Sequence, residues 1–316
     1  MWPHRILVTG AGGFVASHLI PALHGAFPGT QVVGAGHQPR PGLHPLDVTD
    51  PQSVSALVER LRPDACVHLA AIAAIAAARE TPRLAWSVNL QGTLALAEAI
   101  FAHAPECLLV YVSSADIYGA SFRCGRPLDE DAAPAPLNTY GATKAAADLA
   151  LGALSAERQL RVVRVRPFNH TGPGQSADFV VPAFARQVAR IAVGLQEPVI
   201  HTGALDPQRD FLDVRDVCQA YVACLRTPPE AGTVLNLASG VPRRVGDILA
   251  DLLDRSGVKA LVRPVSHLLR PSDIPVGLGH ANRARMLLGW EPRIPWSQTL
   301  DDVLEDWHGR VRAERV

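Results

Sequence analysis

The stretch TGAGGFVA, residues 9–16, decides the fold, because it joins a short apolar run to a segment of helical periodicity. The apolar run is Arg5–Thr9, and the helical segment extends from about Phe14 to Leu23. Glycines between a strand and a helix permit a tight turn and let the backbone approach a ligand closely. The sequence therefore predicts a strand, a glycine turn and a helix whose N-terminus binds the pyrophosphate of a dinucleotide.

Two registers of the glycine motif are open. GxGxxG would use Gly10 and Gly12 and put Val15 at the third position, which must be small for helix and strand to pack. GxxGxxG puts Ala16 there and fits at all three positions. The residues that we expect to contact the cofactor at this turn are Gly10, Gly13, Phe14, Val15 and Ala16.

The end of the second strand bears on the choice of cofactor. The run Val33–Arg40 contains no acid to bind an adenine ribose, whereas His37 and Arg40 are cations suited to the 2′-phosphate of NADP. Both side chains are equally compatible with a solvated loop, so NADP is favoured and NAD stays possible. Asp47 and Val48 are expected at the adenine edge; the alternative is a helix N-cap followed by a core valine.

Short apolar runs alternate with helical segments over the first half of the chain. The runs are Gln31–Gly34, 65–69, 107–112 and 161–165, and the helical segments include 53–61, 90–102 and 143–155. Such alternation is typical of a parallel sheet covered on both faces. We predict an α/β fold with a doubly wound, Rossmann-type parallel sheet in residues 1–167, completed by parts of 205–240. A smaller α/β substrate lobe is expected over 168–316.

Composition excludes several classes of protein. Among 316 residues, 30 basic and 30 acidic side chains give no net charge, which argues against nucleic acid as a partner. No apolar run approaches the roughly 18 residues of a membrane helix, and no signal peptide is evident at the start. Five scattered cysteines without CxxC spacing predict reduced thiols and no metal site. We expect a cytoplasmic enzyme.

A tyrosine and a lysine suggest the chemistry. Tyr140 and Lys144 are four residues apart, which puts them on one helical face, where an ammonium would lower the pKa of the phenol. A tyrosine so tuned is a usable general acid or base. Ser114 follows the strand run 108–112, at a carboxyl strand end, where α/β sheets bind ligands. These three side chains are the candidate catalytic residues.

The chain resembles the extended short-chain dehydrogenase/reductase family, which contains nucleotide-sugar epimerases, dehydratases and reductases. The matching segments are TGAGGFVASHL (9–19), LDV (46–48), VHLAA (67–71), VNLQGT (88–93), VSSADIYG (112–119), YGATK (140–144) and RPFNHTGPGQ (166–175). The resemblance implies catalytic roles for Ser114, Tyr140 and Lys144, with Tyr140 and Lys144 also touching the cofactor. It further implies cofactor contacts from Leu69, Ala70, Ala71 and Pro167.

The second half is most similar to enzymes of GDP-linked 6-deoxyhexoses. The segment GALDPQRDFLDVRDV (203–217) resembles GDP-mannose 4,6-dehydratases and, more closely, GDP-4-keto-6-deoxy-mannose reductases. That resemblance implies a GDP-sugar partner, with a diphosphate contact from Arg209 and possible help from Arg270. The other residues expected at the substrate are Ser114, Asp116, Asn169 and Val180.

The residue at position 116 separates the neighbouring activities. The dehydratases carry a glutamate there as the base for elimination, whereas this chain has the shorter Asp116. The sequence therefore favours NAD(P)H-dependent reduction of a C4 ketone. A 4,6-dehydratase or epimerase is the alternative, and a non-catalytic NAD(P) sensor is an alternative of another class. The resemblance also implies a homodimer formed through the helical segments 90–102 and 143–155.

Overall fold

The structure is a computed structural model that describes residues 2–268 and 274–314. Its strands are β1 (Arg5–Thr9), β2 (Gln31–Gly36), β3 (His44–Pro45), β4 (Ala65–His68), β5 (Leu108–Val112), β6 (Val162–Pro167), β7 (Asn169–Thr171), β8 (Val199–Thr202), β9 (Gln208–Asp213), β10 (Val234–Leu237), β11 (Pro242–Arg244), β12 (Leu261–Pro264) and β13 (Val276–Gly277). Its helices are α1 (Phe14–Ala26), α2 (Pro51–Leu61), α3 (Ile75–Glu80), α4 (Pro82–Trp86), α5 (Gly92–His103), α6 (Thr139–Arg158), α7 (Val180–Ala192), α8 (Val214–Arg226), α9 (Val245–Ser256), α10 (Asn282–Leu288) and α11 (Trp296–Ala313).

Seven parallel strands form the central sheet. Their order is β10-β6-β5-β4-β1-β2-β3, so the chain winds outwards in both directions from β1. Ligands bind such sheets beyond the carboxyl strand ends, near the point where the winding reverses. The predicted doubly wound parallel sheet is confirmed.

Both faces of this sheet are buried, which explains why its strands read as continuous apolar runs. Ile6 and Val8 of β1 pack with α1 and α8 on one face, while Leu7 between them packs with α2 and α5 on the other. These three side chains are fully buried. Because successive side chains of a strand point to opposite faces, one apolar run supplies both layers.

A second, smaller sheet lies in the later part of the chain. Strands β11, β9 and β13 are adjacent in it, and β7 pairs with β9. Its apolar core is built by α7, α9 and α11, with Phe184, Ile248 and Trp307 among the buried side chains. Strand β9 therefore carries residues 208–213 into the second sheet, where it pairs with β7, the strand that follows β6 in the chain.

Two helices depart from the predicted segments. Helix α6 begins at Thr139 rather than 143, because the Asn138 side chain caps it by accepting from Gly141 N at 2.8 Å. The segment predicted as 90–102 is a π-helical turn over Ser87–Gln91 followed by α5. The turn places Asn89 fully inside the protein, and π-turns of this kind are frequent at functional sites.

Four of the five cysteines are buried, and Cys124 is exposed. Within residues 2–268 and 274–314, no helix is both long and apolar enough to span a membrane.

Candidate active site

The glycine turn after β1 forms a cradle that only small residues allow. Gly10 has a φ of +66°, and a Cβ there would lie 2.7 Å from the backbone N of Ala70. Helix α1 begins directly after Gly13, which has no side chain to cap it, so no capping side chain occupies the N–H groups of the first turn. Ala16 packs almost fully buried behind them. This arrangement fits the pyrophosphate of a dinucleotide.

Beside this cradle lie the two predicted cations. Arg40 is exposed, and its Nη1 donates to the backbone oxygen of Gly12 at 2.9 Å. His37 is exposed as well, with Nδ1 3.8 Å from an Asp47 carboxylate oxygen. The structure therefore brings Arg40 to the glycine turn and His37 to Asp47.

The Asp47 carboxylate is hydrogen-bonded to Thr49. Its Oδ1 accepts from Thr49 N at 2.9 Å and from Thr49 Oγ1 at 2.7 Å, and these hydrogen bonds lower the pKa of Asp47. Asp50, not Asp47, caps α2 by accepting from Gln52 N, so the helix-cap alternative for Asp47 is wrong. Val48 is buried against Gly92.

A tight turn after β5 positions Ser114 and Asp116. Ser114 is buried and caps the 3₁₀ turn Ala115–Ile117, since its Oγ accepts from Asp116 N at 3.1 Å. The same hydroxyl donates to Asp116 Oδ2 at 3.3 Å. Asp116 also hydrogen-bonds the Asn138 side chain and faces the charge of Arg209. One short segment thus presents a hydroxyl and a carboxyl group together.

Helix α6 meets this turn through a glycine. A Cβ at Gly141 would lie 2.7 Å from the backbone oxygen of Asp116, so only glycine allows the helix this close. Tyr140, the neighbour of Gly141, lies beside Ser114, whose hydroxyl lowers the pKa of the phenol. One turn further, Lys144 is buried, with Nζ 4.5 Å from the centroid of the Tyr111 ring. Ser114, Tyr140 and Lys144 therefore lie together at the carboxyl end of the sheet.

The electrostatics of Tyr140 differ from the sequence expectation. Burial raises the pKa of Tyr140, and the neighbouring Asp116 charge raises it further, while Ser114 lowers it in part. The prediction that the ammonium lowers this pKa is wrong for the structure described. The reason lies in Lys144, because burial lowers its pKa to about 7 against the pull of Asp148, which leaves the amine only partly charged near neutrality.

The residues predicted to contact the substrate are spread along one side of this site. Arg209 on β9 faces Asp116, and its Nη1 donates to the backbone oxygen of Gln208 at 2.7 Å. Asn169 is exposed, with Nδ2 donating to Asp210 O at 3.2 Å. Val180 is exposed at the start of α7. Arg270 lies outside the described residues.

The remaining cofactor candidates follow strand ends of the central sheet. Pro167 is the buried last residue of β6. Leu69, Ala70 and Ala71 follow β4 and are partly buried, and Ala70 N donates to Thr9 Oγ1 at 3.3 Å. They are therefore adjacent to the glycine turn.

A family model described as "NAD dependent epimerase/dehydratase family" matches residues 6–238. The chain belongs to this family. The GDP-6-deoxy-D-mannose reductase of Pseudomonas aeruginosa is 36% identical over 314 residues, which cover 98% of this chain and 99% of the relative. The GDP-6-deoxy-D-talose 4-dehydrogenase of Aggregatibacter actinomycetemcomitans is 29% identical, covering 92% of this chain and 93% of that protein.

Solved structures agree with this membership in the epimerase/dehydratase family. The structure of RMD from Pseudomonas aeruginosa complexed with NADPH is 35% identical with a TM-score of 0.87, covering 97% of this chain and 99% of that one. A UDP-glucose 4-epimerase from Thermus thermophilus in complex with NAD is 27% identical with a TM-score of 0.83, at 96% and 99% coverage.

A buried histidine of this family member was missed by the sequence analysis. His68 ends β4 between two hydroxyls, with Nδ1 2.7 Å from Thr9 Oγ1 and Nε2 3.1 Å from Thr93 Oγ1. Burial, helped by the Lys144 charge, lowers its pKa to about 3, so the ring stays neutral. It braces the glycine turn against α5. The VHLAA segment contained the signal, since a histidine in an apolar strand needs polar partners.

A buried ion network behind Lys144 was also missed. Asp148 is fully buried and accepts from Arg166 Nε and Nη2 at 3.0 and 2.9 Å and from Arg164 Nη1 at 3.1 Å. Burial opposes ionisation of Asp148, but Arg166 outweighs it and keeps the pKa of this carboxyl below its usual value. The i,i+4 spacing of Lys144 and Asp148 was the available signal.

Proposed function

We propose that the protein reduces the C4 ketone of a GDP-4-keto-6-deoxyhexose with NADPH and yields a GDP-6-deoxyhexose of the GDP-rhamnose type. One observation carries this proposal: the chain places a serine, a tyrosine and a lysine at the predicted site while matching a GDP-6-deoxy-D-mannose reductase over its full length at 36% identity. The related structure holds NADPH, which supports the same cofactor here.

The residues around Tyr140 divide the work of such a reduction. NADPH, when bound at the glycine turn, supplies the hydride. Tyr140 is protonated near neutrality because its pKa is raised, so it starts as a proton donor for the developing alkoxide. Ser114 supplies a hydrogen bond to the carbonyl oxygen. Lys144 holds the nicotinamide ribose, and preset donors of this kind account for a large share of enzymatic rate enhancement.

On the sugar-nucleotide side, we assign the diphosphate to Arg209, aided by Arg270, because a guanidinium suits bidentate contact with phosphate oxygens. Asn169 and Val180 complete the substrate contacts. We accordingly divide the chain at residue 167, with parts of 205–240, among them α8 and β10, completing the dinucleotide domain. In this division the glycine turn and Tyr140 belong to the dinucleotide domain, and Arg209 to the substrate lobe within 168–316.

Reduction is favoured over elimination by the surroundings of Asp116. An elimination base must reach a carbon-bound proton, yet the Asp116 carboxyl group is engaged by Ser114 at 3.3 Å, by Asn138, and by the charge of Arg209. A 4,6-dehydratase or epimerase therefore stays the second candidate. The mouse dTDP-D-glucose 4,6-dehydratase is 26% identical. A non-catalytic sensor is disfavoured by the intact group of Ser114, Tyr140 and Lys144.

The test is a spectrophotometric screen of NADPH and NADH oxidation against GDP-, dTDP- and UDP-linked 4-keto sugars. We expect oxidation with a GDP-linked ketone and NADPH, and freely exchanging cofactor. Tyr140→Phe should lower turnover by about 10²–10⁴-fold while cofactor affinity is kept. No oxidation with any ketone, or purified protein carrying stoichiometric oxidised cofactor, would contradict the reductase.

We propose further that two copies pair through α5 and α6. Phe101 on α5 and Leu149 on α6 are 46% and 56% exposed, high values for large apolar side chains. A small apolar groove between the helices is lined by Leu154 and Leu160. Leu149→Glu should yield monomers in light scattering, whereas Met286→Glu on α10, 77% exposed, should not change the mass. Monomeric wild-type protein would refute the pairing.

A further inference from the structure

The Ser114 hydroxyl lies between Tyr140 and the carboxyl group of Asp116. The Ser114 hydroxyl stabilises the phenolate form of Tyr140, and it donates to Asp116 Oδ2 at 3.3 Å. The reduction described above uses the phenol and the serine but gives Asp116 no step. It also leaves Tyr140 without its proton after every turnover, so the enzyme needs a way to restore it.

The oxygen of Ser114 is fixed in place, while its hydroxyl can donate either to Asp116 or towards Tyr140. Asp116 N donates to Ser114 Oγ at 3.1 Å, which occupies one of the two lone pairs and fixes the oxygen. The second lone pair can accept a proton from the Asp116 carboxyl group while the hydroxyl donates towards Tyr140. The 3₁₀ turn Ala115–Ile117 and the close contact of Gly141 with the Asp116 backbone keep the three groups in place.

Of Tyr140, Ser114 and Asp116, the last is the group that we expect to exchange protons with solvent. Ser114 is only 7% exposed and Lys144 only 3%, whereas Asp116 is partly exposed. Tyr140 is partly exposed too, but a ketone bound against its hydroxyl would cover it. Once the product has left the site, the partly exposed Asp116 can therefore exchange its proton with solvent.

We propose that Asp116 returns a proton to Tyr140 through Ser114 after each reduction, an inference that rests on the proposed reductase activity. The ketone carbon takes the hydride, and its oxygen takes the Tyr140 proton. The phenolate then takes the Ser114 hydroxyl proton, Ser114 takes the Asp116 carboxyl proton, and the Asp116 carboxylate takes one from a solvent hydronium ion. Each O–H bond broken is matched by one formed.

The charges around Asp116 favour this direction. Burial raises the pKa of Asp116, an effect that Ser114, Arg209 and Asn138 offset only in part. A diphosphate bound to Arg209 would weaken the hold of that guanidinium on the carboxylate, so a bound substrate favours the protonated acid. The other titratable groups facing Tyr140 are Tyr111 on β5 and Tyr221 on α8, with Lys144 one turn along α6.

The kinetic test compares Asp116→Asn with wild type in stopped-flow mixing of NADPH and the GDP-linked ketone. Tyr140 is protonated at the outset, so the first turnover of Asp116→Asn should be slowed much less than the turnovers that follow it. Later turnovers should slow by about 10²-fold and acquire a solvent deuterium isotope effect. Formate should restore the steady state of Asp116→Ala. Asp254 is exposed on α9, so Asp254→Asn is the matched control and should behave as wild type.

A second readout needs no cofactor or substrate. The chain has four tyrosines, so the phenolate absorbance that wild type shows and Tyr140→Phe lacks in the folded protein reports Tyr140. Asp116→Asn should lower the midpoint of that titration because a negative neighbour is removed. Tyr140→Phe identifies the signal by abolishing it.

The outcomes separate the relay from the function it serves. If the wild-type protein fails to oxidise NADPH with every ketone of the screen, both the reductase and the relay are refuted. An active wild type combined with Asp116→Asn that is unchanged in steady state, or slowed equally in its first and later turnovers, refutes the relay alone. A failure of formate to restore Asp116→Ala also contradicts proton transfer by a carboxyl group at this position.

Discussion

Replacing Lys144 by methionine should make the protein more stable while it destroys activity. Lys144 is 3% exposed, and burial lowers its pKa from 10.5 to about 7. At about 1.4 kcal/mol for each pH unit, keeping this amine charged in the folded protein costs about 5 kcal/mol. Methionine loses the ammonium over the Tyr111 ring, worth about 1–2 kcal/mol. A net gain of about 3 kcal/mol is expected where the lysine is fully charged.

The gain depends on pH in a defined direction. Because the folded pKa lies below the unfolded value, the unfolded chain binds more protons between about pH 7 and 10.5. The free energy of unfolding of the wild type therefore rises with pH across that window. The advantage of Lys144→Met should be largest below pH 7 and vanish near pH 10.5.

Urea unfolding at pH 6, 8 and 10 measures this difference. The chain has one other lysine, Lys259, which is exposed, so Lys259→Met is the matched control and should leave the free energy of unfolding nearly unchanged at each pH. Equal stability of wild type and Lys144→Met at pH 6, or a difference that grows with pH, would refute the reasoning.

Three further variants test other parts of the structure. Gly10→Ala should abolish dinucleotide binding and destabilise the fold by at least about 1–2 kcal/mol, since φ is +66° and the new Cβ meets Ala70 N at 2.7 Å. Unchanged cofactor affinity in calorimetry would contradict dinucleotide binding at the glycine turn. Arg40→Ala should weaken the binding of NADPH more than that of NADH in fluorescence titration. Equal losses of affinity for the two cofactors would contradict a contact between Arg40 and the 2′-phosphate. Asp148→Asn should lower the free energy of unfolding by about 3–5 kcal/mol, because Arg164 and Arg166 keep their charges without a carboxylate. A loss below about 1 kcal/mol would mean that these buried ion pairs contribute no more to stability than exposed ones.

The sequence predicted those features that depend on local pattern. The glycine turn, the strands and the pairing of Tyr140 with Lys144 on one helix each follow from periodicity or spacing. The direction of the Tyr140 pKa did not, because it depends on how deeply the site is buried and on Asp116, which approaches only through the contact with Gly141. Burial is a property of the assembled fold.

His68 and Asp148 were missed by the sequence analysis for the same reason, which is that their partners are distant in sequence. His68 is satisfied by hydroxyls 59 and 25 residues away, and Asp148 by arginines 16 and 18 residues away. No spacing rule of helix or strand relates such positions, since the partners meet only when β1, β4, α5, α6 and β6 pack together. Arg270 was predicted at the substrate and stays a prediction.

Helix α6 carries one site residue or supporting group on each successive turn. Tyr140, Lys144 and Asp148 are spaced by four, so the phenol, the amine and the carboxylate follow one another into the protein. Asp148 is fixed by Arg166 and supports the charge of Lys144, while Asp116 opposes ionisation of Tyr140 from outside the helix. The phenol therefore stays protonated although an amine lies one turn away. Such a tyrosine begins as an acid, which suits reduction of a ketone better than oxidation of an alcohol.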